Sequence, residues 1–156
     1  MDFALSDDQS ALEDAAKGFA TAELAPHAAR WDEEEVFPVD VLRKAAELGF
    51  AGLYVRDDVG GSGLARLDAV LIFEALSGGD PSVAAFLSIH NMCAWMVDKF
   101  GDAQQRAHWL PKLCRMELVA SYCLTEPGSG SDAAALTTRA RRDGDDYVIS
   151  GSKAFI

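Results

Sequence analysis

The feature that most constrains this chain is an apolar segment that breaks abruptly into small polar residues. Residues 118–124 are apolar and strand-like, and residues 122–132 read Tyr-Cys-Leu-Thr-Glu-Pro-Gly-Ser-Gly-Ser-Asp. Pro127 fixes one backbone dihedral and the glycines permit positive φ, so the segment predicts a shaped turn after a strand. Successive N–H groups in such a turn can bind an anion. With a tyrosine ring and several hydroxyls beside it, the segment favours a ligand that carries a flat ring and a phosphate.

A purely structural turn is the alternative, because Gly- and Ser-rich turns after strands are common and most bind nothing. The spacing is not the Gly-x-Gly-x-x-Gly dinucleotide fingerprint, and no Gly-Lys-Ser/Thr follows as in a Walker loop. The glycines alone therefore leave both interpretations open.

Composition narrows the class of protein. The chain has 156 residues, of which 49% are apolar, enough for a packed core in one domain or slightly more. Its formal net charge of -11 argues against nucleic-acid binding. Three widely spaced cysteines favour reduced thiols in an intracellular protein, and scattered histidines without Cys-x-x-Cys predict no metal site. No run is long enough to span a membrane, and the acidic N-terminus lacks a signal core.

Capping signals and apolar periodicity predict an all-helical domain over residues 1–115. Ser6 and Gln9 form a capping box, and Gly49 is a plausible C′ residue. Asp80 followed by Pro81 is an N-cap with proline at the first helical position. Further helices are expected after Pro38, over residues 66–77 and after Asp102, while the acidic run 32–35 is expected to be a solvated connection.

The composition shifts near Met116 toward short strand-like runs, at 117–125, about 136–141, 146–150 and 152–156. Arg142–Asp145 is a hairpin-turn signal. The expected class is α+β, with a helical domain over 1–115 followed by an antiparallel β-domain over 116–156. Because the chain stops within an apolar strand, we expect that β-domain to be truncated.

Two motifs carry a resemblance to a known family. The string at 122–132 closely resembles the first signature of the acyl-CoA dehydrogenase family, and Gly151–Ile156 is similar to that family's Gly-x-Lys-x-Trp-Ile strand. Phe155 stands where tryptophan is commoner, which resembles the short branched-chain members of the isobutyryl-CoA dehydrogenase kind. The resemblance implies a flavoenzyme with a helical N-terminal domain, a middle β-domain and a C-terminal helical bundle. It also implies α,β-dehydrogenation of a short or branched acyl-CoA thioester.

The resemblance implies a role for individual residues. Those expected to line FAD are Tyr122, Leu124 and Thr125 at the flavin edge, Gly130 and Ser131 at the pyrophosphate, and Phe155 and Ile156 against the flavin ring. Ser131 is also expected to contact the CoA moiety of the substrate. Family members pass electrons to an electron-transfer flavoprotein and form homo-oligomers. A cytoplasmic location is preferred, or the mitochondrial matrix for a eukaryotic relative.

No catalytic residue is assigned within this chain. In the resembled family the catalytic glutamate comes from the C-terminal helical domain, so we expect this chain alone to be inactive and to bind FAD at most weakly. Glu126 is expected to have a structural role. The alternatives are a flavin acyl-CoA oxidase of the same fold, or a non-catalytic helical interaction fragment.

The resemblance implies that the helix after Asp80 runs near the pocket for the acyl chain of the substrate. Phe86, Leu87 and His90 are therefore candidates for tuning acyl-chain length. From its place on an apolar stripe alone, His90 is expected to be a satisfied core or interface histidine instead.

Overall fold

The structure, a computed structural model, describes residues 4–156. It divides into two compact units, one ending at Ser121 and the other formed by Tyr122–Ile156. The first unit is helical and the second contains a small antiparallel sheet, so the predicted α+β class is confirmed. The helices of the first unit are α1 (Asp7–Phe19), α2 (Ala28–Glu33), α3 (Val39–Glu47), α4 (Arg66–Ser77), α5 (Pro81–Phe100) and α6 (Ala103–Cys114).

Most helix starts follow the capping chemistry of the sequence. The Ser6 hydroxyl accepts from the Gln9 amide, and the Gln9 side chain accepts from the Ser6 amide. Asp80 accepts from two amides of the first turn of α5, and Asp102 accepts from Gln105 at the start of α6. Gly49 has φ of 81°, the left-handed conformation expected of a residue just after a helix.

The core of the first unit forms where α1 packs on α4, α4 on α5, and α5 on α6. Its largest fully buried side chains include Phe50, Leu24, Leu42, Ile72 and Leu76. The short helix α2 was not predicted, because the acidic run beginning at Asp32 masked it. Trp31 anchors this helix in the core with 7% of its surface exposed, whereas residues 32–35 are exposed as expected.

The end of α1 departs from a regular helix. Residues Ala20–Leu24 form a π-helical turn that continues α1. Gly79 lies against this turn, and a Cβ there would meet the Ala20 carbonyl oxygen at 2.7 Å and the Leu24 Cβ at 3.0 Å. The close approach of the two segments therefore depends on a glycine at position 79.

Two buried polar residues of α5 hold the loop that leads to α4. Asn91 accepts from the Leu53 amide at 2.7 Å and donates to the Phe50 carbonyl at 2.8 Å. Asp98 accepts from Arg56 and from Arg106, the latter at 2.8 Å. The loop after Val55 is thus tied to α5 and α6.

The second unit contains the hairpin β1 (Arg139–Asp143) and β2 (Asp146–Ser150), paired antiparallel with Arg141 opposite Val148. Gly144 in the intervening turn has φ of 65°. The predicted strands at 117–125 and 152–156 were wrong as strands, since neither forms a ladder in the part of the chain that the structure describes. A single backbone hydrogen bond, from the Ala154 amide to the Thr125 carbonyl at 2.9 Å, joins the two runs.

Over residues 4–156, no helix is long and apolar enough to cross a membrane. The same residues contain no cluster of histidine, cysteine or acidic side chains suited to a metal ion.

Candidate functional site

The second unit is organised around the Glu126 carboxylate, which is buried with 4% of the residue exposed. One carboxylate oxygen accepts from the Thr137 amide at 2.7 Å and from the Thr137 hydroxyl at 2.8 Å. The other accepts from the Thr138 amide and from the Lys153 ammonium, both at 3.0 Å. A buried carboxylate is costly unless its oxygens are satisfied, and here four donors satisfy them.

These donors also set the charge state of Glu126. The Thr138 side chain lies against the carboxyl, and the Thr137 amide and hydroxyl and the Thr138 amide donate to it, so its pKa is held well below its usual range despite opposing desolvation. The Thr138 hydroxyl is buried but makes no hydrogen bond of good geometry among residues 4–156, so the three donated hydrogen bonds account for the effect. Glu126 is therefore a fixed anion near neutral pH and unsuited to abstract a proton. Its structural interpretation agrees with this geometry.

Lys153 links the Glu126 carboxylate to the neighbouring backbone. Its ammonium donates to the Leu124 carbonyl at 2.8 Å as well as to Glu126. Gly151 lets this segment approach, because a Cβ there would lie 2.8 Å from the Thr138 Cβ. In the Gly-x-Lys motif, Gly151 thus allows close packing against Thr138, and Lys153 pairs with the Glu126 carboxylate.

The turn after Glu126 is closed by its own hydrogen bonds. The amides of Glu126 and Ser129 each donate to the carbonyl of the other, at 2.9 and 3.0 Å. The buried Ser129 hydroxyl donates to the Asp132 carbonyl at 2.6 Å. Ser129 is therefore committed to shaping the turn, whereas Gly130 and Ser131 are exposed.

The structure brings the predicted site residues into two groups. Thr125 lies beside the segment that leads to Phe155 and Ile156, through the bond from the Ala154 amide. Gly130 and Ser131 lie on the turn that Glu126 begins. In the described part of the chain, the backbone amides of residues 122–125, 130 and 131 have no hydrogen-bond partner. They are free to donate to a ligand.

The aromatic and apolar groups of the predicted site are accessible. Phe155 is 99% exposed and Ile156 is 70% exposed, while Tyr122 is 36% exposed. Phe155 has φ of 58°, an uncommon value for a residue with a side chain. Open N–H donors next to an exposed ring are the chemistry that a flavin, with its carbonyls and flat apolar ring, requires.

The helix α5 offers less to a ligand than the sequence predicted. Leu87 and His90 are fully buried, which removes both from direct contact with an acyl chain. His90 bonds the Leu113 carbonyl through Nε2 at 3.1 Å and accepts from the Ala120 amide at Nδ1 at 3.1 Å. Phe86 is half-buried and lines a cleft of about 590 Å³ together with Trp31 and Phe37.

The partners of Glu126 were missed by sequence reasoning. Thr137 and Thr138 lie in the strand-like run at about 136–141, and no motif marks them. The signal was the glutamate itself, since an acidic residue between an apolar run and a turn needs donors if it is buried.

Comparisons with known proteins agree with the two-unit structure. The family model described as "Acyl-CoA dehydrogenase, N-terminal domain" matches residues 6–117, and "Acyl-CoA dehydrogenase, middle domain" matches residues 121–156. The mitochondrial isobutyryl-CoA dehydrogenases of Bos taurus and Dictyostelium discoideum are each 59% identical over 97% of this chain. The chain spans about 36% of the length of these curated relatives.

Solved structures extend the similarity to the fold. The FAD complex of PigA matches with a TM-score of 0.91 and 32% identity, over 99% of this chain and 41% of PigA. A glutaryl-coenzyme A dehydrogenase in complex with glutaryl-CoA matches with a TM-score of 0.91 and 30% identity, over 98% of this chain and 40% of that one.

Proposed function

This chain belongs to the acyl-CoA dehydrogenase family, and we propose that it supplies the helical domain and one wall of the FAD site of an α,β-dehydrogenase of acyl-CoA thioesters. The observation that carries the proposal is the run of free backbone amides at residues 122–125, joined through Thr125 and Ala154 to the exposed Phe155.

The residues present fit FAD. The amides of Leu124 and Thr125 would donate to the flavin edge, and Phe155 and Ile156 would pack on its ring. The exposed amides of Gly130 and Ser131 would bind the pyrophosphate, and no atom lies within 4 Å of a Cβ built at Gly130. Lys153 neutralises the buried Glu126, so the anionic part of the cofactor would not face an unpaired charge there. The bound flavin would supply the hydride acceptor for dehydrogenation.

The substrate is proposed to be a short branched acyl-CoA. The support is 59% identity to two isobutyryl-CoA dehydrogenases over 97% of this chain. Ser131 is exposed and is proposed to contact the CoA moiety as well as the cofactor.

The partners of the whole protein are proposed from the family. We infer a homo-oligomer that passes electrons to an electron-transfer flavoprotein. The support is the family and a solved structure of an electron transferring flavoprotein of Acidaminococcus fermentans, which is 35% identical over 98% of this chain and 40% of that chain. A cytoplasmic location in a bacterial cell is the proposed one, although the two isobutyryl-CoA dehydrogenase relatives carry mitochondrial names.

Backbone amide spectra of ¹⁵N-labelled protein titrated with FAD test the cofactor site. The expected result is a set of saturable shifts at residues 122–125, 130–131 and 155–156, even if affinity is weak. Titration with riboflavin, which lacks the phosphates, is the control and should leave residues 130–131 unshifted. Shifts confined to the helical unit, or none up to millimolar FAD, would reject this site.

A further inference from the structure

We propose that Glu126 and Lys153 form a positioning lock that fixes the backbone which binds the flavin. The inference rests on the proposed function for the identity of the ligand, but the lock itself is a property of the second unit alone. Neither side chain is proposed to touch the cofactor.

The first argument is the number of segments that meet at one carboxylate. Glu126 joins its own turn to Thr137 and Thr138, eleven and twelve residues later, and to Lys153, twenty-seven residues later. Only 4% of Glu126 is exposed, so solvent does little to replace a lost donor. The unit has few buried apolar side chains, and this polar cluster is its most enclosed part.

The second argument is the double role of the Lys153 ammonium. It donates both to the Glu126 carboxylate and to the Leu124 carbonyl. The next residue, Ala154, donates its amide to the Thr125 carbonyl at 2.9 Å. Together these bonds occupy the carbonyls of residues 124 and 125, while the amides of the same residues remain free.

The geometry follows from the planarity of the peptide group, which holds the carbonyl of one residue and the amide of the next in one plane. When Lys153 fixes the Leu124 carbonyl, the free Thr125 amide in the same plane is oriented, and the bond from Ala154 to the Thr125 carbonyl restrains the plane on the other side of Thr125. The Thr125 amide is then aligned before a ligand arrives, which reduces the entropy lost on binding. Without the lock the same residues are present but not oriented.

Amide hydrogen exchange tests the lock without any cofactor. The substitutions are Glu126→Gln, which keeps the shape and removes the charge, and Lys153→Met, which keeps the stem and removes the ammonium. The reporter is the Ala154 amide, which contacts neither altered group. Its exchange is expected to accelerate about tenfold or more in both variants, since hydrogen bonds to charged groups are the strong ones. Asp143→Asn, an exposed carboxylate of the same unit, is the control and should leave that rate within about twofold.

The hairpin provides an internal reference. Amides of the β1–β2 ladder should keep their exchange rates in both variants, which distinguishes a local lock from general unfolding. An unchanged Ala154 rate would overturn the proposal, and so would equal acceleration across the hairpin in both variants. The double variant should accelerate exchange by less than the product of the two single accelerations, because the two side chains share one ion pair. An acceleration equal to that product would contradict the pairing.

A titration with FAD then connects the lock to the cofactor. Each variant is expected to bind FAD about tenfold more weakly than the unaltered chain. Variants with accelerated exchange but unchanged FAD affinity would overturn the positioning role. If the unaltered chain shows no FAD shifts at all, the proposed cofactor site fails, whereas the exchange rates still decide the lock.

Discussion

The imidazole Nδ1 of His90 lies 3.1 Å from the backbone nitrogen of Ala120 and accepts its N–H. Because Nδ1 is an acceptor, the proton is on Nε2, which donates to the Leu113 carbonyl at 3.1 Å. A neutral, fully buried histidine of α5 thus holds both the end of α6 and the chain that leaves the first unit.

Replacing this histidine should lower stability. His90→Leu leaves the Ala120 amide and the Leu113 carbonyl without their partner, so we expect a loss of about 1–3 kcal/mol in the free energy of unfolding. Ser88→Ala is the control, since that hydroxyl bonds only within its own helix. Urea denaturation at neutral pH measures both. If the two variants had the same free energy of unfolding, the hydrogen bonds of His90 would not contribute to stability as expected.

The same residue predicts a pH dependence. Burial lowers the pKa of His90 below its ordinary value of 6.5, against a smaller opposing effect of the Leu113 carbonyl. The unfolded chain therefore takes up this proton more readily, and the stabilisation is complete above about pH 6.5 and is lost as pH falls toward the lower folded pKa. The urea concentration at the unfolding midpoint should therefore decrease as the pH is lowered from about 7.5 to about 5.5.

The buried carboxylates of Asp98 and Glu126 do not contribute to the decrease in stability over this pH range. Their pKa values are lowered, so both stay ionised there. His90→Leu should flatten the fall in the urea midpoint. A slope unchanged by that substitution would mean that another group is responsible.

The Asp98 carboxylate should matter more than an exposed acid. Burial disfavours its charge, but hydrogen bonds from Arg56 and Arg106 outweigh this and keep its pKa below the usual range. Asp98→Asn should cost about 1–3 kcal/mol in the free energy of unfolding. Asp40→Asn removes an exposed pair with Arg43 and should change it by less than about 1 kcal/mol. Thermal unfolding of the two variants side by side checks the difference.

Two glycines should respond oppositely to alanine. At Gly79 a Cβ would press on the Ala20 carbonyl oxygen at 2.7 Å, so Gly79→Ala should destabilise the protein by about 1–3 kcal/mol. At Gly18, in the exposed side of α1, nothing lies within 4 Å of the new Cβ. Gly18→Ala should therefore stabilise by about 0.5–1 kcal/mol. Differential scanning calorimetry distinguishes the signs, and the same sign for both would refute the packing argument.

The parts of the fold that could be predicted from the sequence are those set by interactions between residues close together in the chain. The caps at Ser6, Asp80 and Asp102 were readable because each involves residues two or three positions apart. The π-helical turn at Ala20–Leu24 was not predicted, and the segment that packs against it at Gly79 lies far along the chain. The strand-like run at 117–125 has the composition of a strand, but a ladder needs a partner, and only one bond to Ala154 forms.

The candidate site shows the same limit. The string at 122–132 marked the turn and its free amides, because proline and glycine act locally. The burial of Glu126 was invisible, since its donors Thr137, Thr138 and Lys153 come from distant positions and carry no shared pattern.

The most direct test of the account is the amide spectrum of the chain at saturating FAD. The account predicts shifts concentrated at residues 122–125, 130–131 and 155–156, weakened about tenfold in affinity by Lys153→Met. FAD that shifts none of these amides, while the protein stays folded, would contradict the claim that this unit forms a wall of a flavin site.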